Sequence, residues 1–211
     1  MRYNYALSMT LALAGGSATA SAAFTGFTAT FVGQNASTGA QVYWLFADFD
    51  QADDVLVSVN NFQLLQGSMS GIAHVDNSGQ QSGAAWDPRH TLGSQAGIDS
   101  FVTINGVTGS SSVTVLSNFG TSAGIANGAG WSSSGPLTAV GNAFRVRIGQ
   151  FVGQFGNGNG FLASLGVNYR DTMNSTSTMS GFGTFLIGNA VPGPGALALL
   201  ALASVGRSRR R

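Results

Sequence analysis

The sequence contains no cysteine, no lysine and no glutamate in its 211 residues. Without cysteine, the chain cannot form disulfide bonds, thiolate zinc sites or a cysteine nucleophile. Without glutamate, a glycosidase would have to use aspartates for both of its carboxylates. Serine is abundant, but the G-x-S-x-G match at residues 120–124 lies in a Gly/Ser/Ala-rich stretch and not between a predicted strand and a predicted helix, as a nucleophile elbow requires. The sequence therefore identifies no catalytic residue and predicts a protein that is not an enzyme.

Charge is also scarce, since charged residues make up 8% of the chain. Residues 23–190 hold four of the nine arginines against all eight aspartates, so their net charge is −4. Phosphate binding needs clustered cations, and this balance argues against a nucleic-acid partner. Solubility then depends on neutral Ser, Thr, Asn and Gln side chains, a composition common among cell-surface and matrix proteins.

The N-terminus has the order of a secretory signal peptide. Arg2 precedes a short apolar run over residues 6–14, and small residues follow that run. Two small-x-small motifs predict cleavage before Ser21 or before Ala23, and the second position is favoured. Residues 1–22 are therefore predicted to be a signal peptide, and a mature chain begins at Ala23.

The body, residues 23–190, is predicted to be a single all-β domain, an antiparallel β-sandwich or jelly-roll-like fold. Several segments alternate apolar and polar residues with a period of two, and Asn-Gly pairs mark tight turns between them. No window keeps a helical period without Gly, Asn or Ser-Gly interruptions. Residues 76–97 and 120–141 are predicted to be long loops. About nine strands are predicted: Phe24 to Val32, Gln41 to Phe49, Val55 to Val59, Ser68 to Val75, Ser100 to Ile104, Ser112 to Leu116, Phe144 to Ile148, Phe161 to Tyr169 and Met179 to Ile187.

The last 21 residues differ in composition from the body. A proline-containing motif comes first, then an apolar run over residues 196–205, and then a basic end. A helix of ten residues is about 15 Å long, short of the ~30 Å hydrocarbon core of a membrane. The segment therefore suits transient membrane contact, with the arginines held on the cytoplasmic side. The motif and the basic end consist of Val191, Pro192, Gly193, Pro194, Arg207, Arg209, Arg210 and Arg211.

This tail, Val191 to Arg211, resembles the sorting tail of PEP-CTERM proteins, which are bacterial substrates of exosortase-type enzymes. Gly193 stands where that family usually has glutamate, and the apolar run is shorter than is typical. The resemblance implies that export machinery and an exosortase-type enzyme are partners, that the precursor is membrane-associated, and that the tail is removed to release the body to the cell surface or matrix. It says nothing about what the body binds.

Four aspartates lie at the end of the strand that finishes near Phe49 and in the turn before the strand that begins at Val55: Asp48, Asp50, Asp53 and Asp54. Calcium prefers several oxygen ligands that converge on one point, and such a turn could supply some of them. The EF-hand pattern does not fit, because it needs a glycine at its sixth position and a distal glutamate. A calcium site and a merely solvated acidic turn are therefore both open.

Trp86 and Trp131 stand in the two predicted loops, where an exposed ring could stack on a sugar or on a partner protein. The alternative is that both rings fold back over the ends of the sheets. Trp44 lies inside a predicted strand and is expected in the core. We expect an exported, non-enzymatic cell-surface or matrix protein; the alternative is a secreted, adhesin-like module that binds carbohydrate or protein and is stabilised by calcium.

Overall fold

The structure is a computed structural model that describes residues 24–74, 86, 99–105, 113–115, 119–121, 124–134, 137–155 and 159–188. The predicted signal peptide and sorting tail lie outside these residues. The described residues form eleven strands and no α-helix. They therefore contain no helix that is long and apolar enough to cross a membrane. The strands are β1 (Phe24–Gln34), β2 (Gln41–Phe49), β3 (Val55–Gly67), β4 (Phe101–Val102), β5 (Val113–Val115), β6 (Gly120–Thr121), β7 (Gly124–Ile125), β8 (Trp131–Ser133), β9 (Arg145–Gly153), β10 (Gly160–Arg170) and β11 (Met179–Gly188).

These strands form two main antiparallel sheets. Sheet A has the order β1-β2-β9-β4, and sheet B has the order β11-β10-β3-β8-β5. The strands β6 and β7 form a separate two-stranded ribbon. Every ladder between described strands is antiparallel, which confirms the prediction of an all-β, antiparallel fold.

The inner faces of the two sheets share one apolar core. The ring of Phe151, on β9 of sheet A, lies 5.5 Å from that of Phe161 and 6.3 Å from that of Phe185, both in sheet B. At the other end of the sheets, Phe49 and Tyr169 make an edge-to-face contact at 5.5 Å. Alternation along each strand sends these rings inward, and the buried aromatic area is the main source of stability.

Two glycines let β1 and β11 approach each other closely. A Cβ atom added at Gly181 would lie 2.4 Å from the ring of Phe24, and one added at Gly183 would lie 3.1 Å from the ring of Phe27. Larger residues at these positions would force the strands apart. The sequence Gly-Phe-Gly of β11 thus places small residues on the inner face and Phe182 on the outer face.

Two segments differ from the predictions. The described part of the predicted strand at 68–75 is a turn with one isolated bridge, between Ile72 and Gly153. Here the hydroxyl of Ser68 accepts a hydrogen bond from the backbone N–H of Ser70, which favours a turn over a ladder. The predicted loop at 120–141 contains β6, β7 and β8 instead, because Trp131 pairs with Val59 on one side and with Val115 on the other.

Candidate functional site

The outer face of sheet A carries a row of aromatic and arginine side chains. On β2, Leu45 and Ala47 point into the core, so the alternate residues Trp44 and Phe46 point outward, where both are half-buried. On the neighbouring strand, Arg147 is paired with Phe46. The register of two adjacent strands therefore brings residues about 100 positions apart onto one surface.

The guanidinium groups lie over the rings. The Cζ atom of Arg145 is 5.0 Å from the ring centroid of Phe46, and that of Arg147 is 4.9 Å from the ring of Trp44. The indole N–H of Trp44 donates to the side-chain oxygen of Gln150 at 2.9 Å. Such cation–π pairs hold planar groups flat against a sheet. We call the surface made by Trp44, Phe46, Arg145 and Arg147 the arginine-aromatic face.

Asp48 places one negative charge at the end of this face. The hydroxyl of Thr28 donates to Oδ2 of Asp48, and Nη2 of Arg145 lies 3.1 Å from Oδ1 as an ion pair without hydrogen-bond alignment. Burial lowers the pKa of the Arg147 guanidinium below its usual value. Among the described residues, this face thus combines two arginines with one aspartate, on a body whose net charge is −4.

The four aspartates proposed as calcium ligands do not converge. Asp48 pairs with Arg145, while Asp50 and Asp53 are exposed and Asp54 is fully buried. Among the described residues, no group of three or more His, Asp or Glu side chains is placed to hold a metal ion. The described turn therefore does not bring the four carboxylates together around one point, which favours the alternative of a solvated acidic turn for Asp50 and Asp53.

Asp54 is the most perturbed of these carboxyl groups. Both of its oxygens are buried, and neither has a hydrogen-bond partner of regular geometry. Burial raises the pKa of Asp54 to about 6, the backbone amide of Gln51 partly opposes the rise, and the charges of Asp50, Asp171 and Asp53 add to it. Asp171 comes from the connection after β10, and no sequence pattern indicates that it faces this turn.

Both loop tryptophans are core residues. Trp86 is 0% exposed and Trp131 is 2% exposed, and each packs against Phe119. The indole N–H of Trp131 donates to the carbonyl oxygen of Thr103 at 3.0 Å. The hypothesis that these rings bind a ligand by stacking is wrong for both residues, because neither ring has a face open to solvent. Both rings are buried, as the alternative expected, but Trp131 lies on β8 within sheet B and not in a loop over the ends of the sheets.

His74 and Asp99 form a buried pair at the end of sheet A. Nδ1 of His74 lies 3.1 Å from Oδ1 of Asp99 and 2.9 Å from the carbonyl oxygen of Ser100. Because both of these neighbours accept hydrogen bonds, Nδ1 must carry the hydrogen. The imidazole also stacks on Trp86 at 4.5 Å.

The hydroxyl of Ser100 donates to the carbonyl oxygen of Ala73 and accepts from the N–H of Val152. These hydrogen bonds join the segment that ends at His74 to β9.

A polar cleft of about 330 Å³ opens between the end of β3 and the start of β10. Its volume is at the lower limit for small-molecule pockets. Its walls carry hydroxyl, amide and backbone groups and no charged side chain among the described residues. They are formed by Gly67, Ser68, Ser70, Gly71, Gln154, Phe155, Asn159 and Gly160.

In comparisons with known proteins, no family model, curated protein or solved structure matches this chain. The function must therefore be argued from the chain itself. The tail resemblance concerns residues 191–211, outside the described part, and stays a prediction.

The arginine-aromatic face is the site that the sequence analysis missed. Trp44 was expected in the core, yet Leu45 and Ala47 occupy the inner positions and force Trp44 outward. The spacing of Arg145 and Arg147 by two residues on a predicted strand was the available signal, since residues i and i+2 share a face. What the sequence could not show is that this strand lies beside β2.

Proposed function

We propose that this chain is an exported, non-enzymatic protein of the cell surface or extracellular matrix, with a β-sandwich body and a sorting tail. Residues 1–22 direct export, and an exosortase-type enzyme removes the tail that starts near Val191. The observation that carries the proposal is the position of the strands relative to the two predicted processing points. β1 begins at Phe24 and β11 ends at Gly188.

Both processing steps leave the sheets whole. Cleavage before Ala23 keeps all of β1, which pairs with β2 along its length and contributes Phe24 and Phe27 to the core. Removal of residues from Val191 onward keeps all of β11. A cut several residues further into the body at either end would remove an edge strand and expose apolar core.

Mass spectrometry of the protein recovered from its native cell envelope tests this proposal directly. We expect a mature chain that starts at Ala23, or at Ser21, and lacks the residues beyond Val191. Recovery of the full-length chain from the cytosol would refute both steps.

A tail variant separates sorting from export. Replacing Arg207, Arg209, Arg210 and Arg211 by serine removes the basic end, so we expect a chain that has lost its signal peptide but keeps its tail in the membrane fraction. The matched control is Arg170→Ser in the body, which leaves the tail unchanged. Equal processing of the tail variant and the control would refute the role of the basic end.

A second candidate function is binding of carbohydrate or of a surface protein by the arginine-aromatic face. Planar rings and guanidinium groups on an accessible sheet face suit stacking against sugar rings, and the guanidinium N–H groups suit hydrogen bonds to hydroxyl or carboxylate oxygens. In this candidate, Trp44 and Phe46 are the residues that make the aromatic contacts, whereas the sequence analysis considered Trp86 and Trp131.

Glycan-array binding tests the second candidate. We expect Trp44→Ala to abolish any signal, whereas Phe31→Ala, which removes an exposed ring outside the face, should keep it. Loss of binding in both variants, or in neither, would refute this assignment of the site.

A further inference from the structure

The two sheets have edges of very different length on their two sides. On one side the edge strands are β4 and β5, which have two and three residues. On the other side they are β1 and β11, with 11 and 10 residues. Proteins usually protect long edges, because a free edge offers unpaired N–H and C=O groups to any other strand.

The edge of β11 lacks three of the usual kinds of protection, namely charge, proline and a bulge. The strand contains no charged residue and no proline, and its ladder with β10 runs over ten residue pairs without a bulge. By contrast, the ladder between β1 and β2 is interrupted twice. Among the described residues, no strand pairs with the free edge of β11.

Exposed apolar side chains gather at this side of the molecule. Seven large hydrophobic residues are exposed in the described part of the chain, and four of them lie on β1 or β11: Phe31, Val32, Phe182 and Leu186. Phe182 is the most exposed of the seven, at 63%. Phe182 and Leu186 share the outer face of β11 with Ser180 and Thr184, which are also exposed.

We propose that two copies of this chain associate through β11, the two strands pairing antiparallel across a two-fold axis so that sheet B continues from one copy into the other. The isologous arrangement uses the same edge on both copies. The contact goes beyond the proposed function and does not depend on it, because it follows from the described strands alone.

The area available fits a second copy. A strand of ten residues is about 33 Å long, and two sheets ~10 Å apart with their outer side chains form an edge roughly 20 Å high. Each copy can therefore bury about 650 Å², or ~1,300 Å² in total, which lies within the ~1,200–2,000 Å² of stable interfaces.

Electrostatics permit the same contact. The body has a net charge of −4, so two copies repel each other at most orientations. Neither β1 nor β11 contains a charged residue, and pairing through this side keeps like charges apart.

The absence of cysteine makes a clean cross-linking test available. Single cysteines are placed in the full-length chain at Ser180, Phe182, Thr184 and Leu186, and Leu65→Cys is the control, because Leu65 is 53% exposed but lies on the interior strand β3. Residues directly opposite each other in an antiparallel pair have Cα atoms about 4.5–5.5 Å apart, within the range that a disulfide spans.

A two-fold axis brings only one part of the strand near its own copy. We therefore expect disulfide dimers to peak at one or two neighbouring positions of β11, to decline towards both ends, and to be absent for Leu65→Cys. Equal cross-linking at every position, or cross-linking of the control, would indicate association through another part of the chain and would overturn the proposal.

Sedimentation of the full-length chain provides an independent measurement. We expect the unmodified chain to be dimeric, and Thr184→Arg to weaken dimerisation at least tenfold by placing a like charge on both edges, with Leu65→Arg unchanged. A monomeric unmodified chain, including one that associates only after another protein is added, would overturn the proposal.

Discussion

The buried carboxyl group of Asp54 makes a prediction that can be tested in detail. Its pKa is ordinarily 3.8 and is raised to about 6 in the folded protein, chiefly by burial. Between these values the folded state binds a proton that the unfolded state has released, so the stability must fall as the pH rises. At about 1.4 kcal/mol per pH unit, the full cost at neutral pH is about 3 kcal/mol.

Replacing Asp54 by asparagine removes the charge and keeps the shape. Asp50 and Asp53 in the same turn are exposed, so small movements can bring water to the carboxylate and recover part of this cost. We therefore expect the free energy of unfolding of Asp54→Asn to rise by about 1–3 kcal/mol, relative to that of the unmodified protein, when the pH is raised from about 4 to about 7.5. The loss of stability caused by an unpaired asparagine amide is the same at both pH values, so it cancels in this comparison.

Urea unfolding at the two pH values measures this difference, and Asp53→Asn is the matched control. Asp53 is exposed in the same turn, so its replacement should change stability little and almost equally at both pH values. The reasoning is refuted if Asp54→Asn shows no pH-dependent gain, or if Asp53→Asn shows the same gain.

Four further substitutions test the packing and one ion pair. Gly67 and Gly128 have φ angles of +85° and +83°, but a Cβ atom at Gly67 would lie 2.1 Å from the carbonyl oxygen of Gly160, whereas one at Gly128 meets nothing within 4 Å. In urea unfolding, Gly128→Ala should cost about 1–2 kcal/mol and Gly67→Ala clearly more; equal costs would contradict the close contact. Trp131→Ala should cost about 3–5 kcal/mol as a core truncation, and a loss below 1 kcal/mol in thermal unfolding would show that the ring is not buried. Arg145→Gln should cost less than about 1 kcal/mol, and the cost should shrink as salt is added; a large, salt-independent loss would contradict an exposed ion pair.

Local pattern predicted four of the six long strands well, but it missed the C-terminal parts of β3 and β9. The bounds of β2 match the prediction, and β1, β10 and β11 were predicted to within two residues at each end. These strands were predictable because a period of two, flanked by glycine and asparagine, is a property of the chain itself. The short strands β6, β7 and β8 were not predicted, because segments of two or three residues form strands only when they pair with other strands.

The position of each aromatic side chain was predicted less well. Trp44 was expected inside and lies on the outer face, while Trp86 and Trp131, considered for exposed ligand contacts, lie in the core. Alternation shows that neighbouring residues point in opposite directions, but it does not show which direction is inward. That choice depends on which surface of the strand meets the opposite sheet.

The sequence by itself determined the all-β class, the absence of cysteine chemistry and the low charge of the body, since composition and periodicity need no partner. Only the tertiary structure decided that Arg145 and Arg147 stack on Phe46 and Trp44, that Asp54 is buried beside Asp171, and that none of the described strands pairs with the outer edge of β11. Each of these depends on pairing between segments distant along the chain. Backbone hydrogen bonds can form between many strands, and it is the packing of the whole core that selects one register.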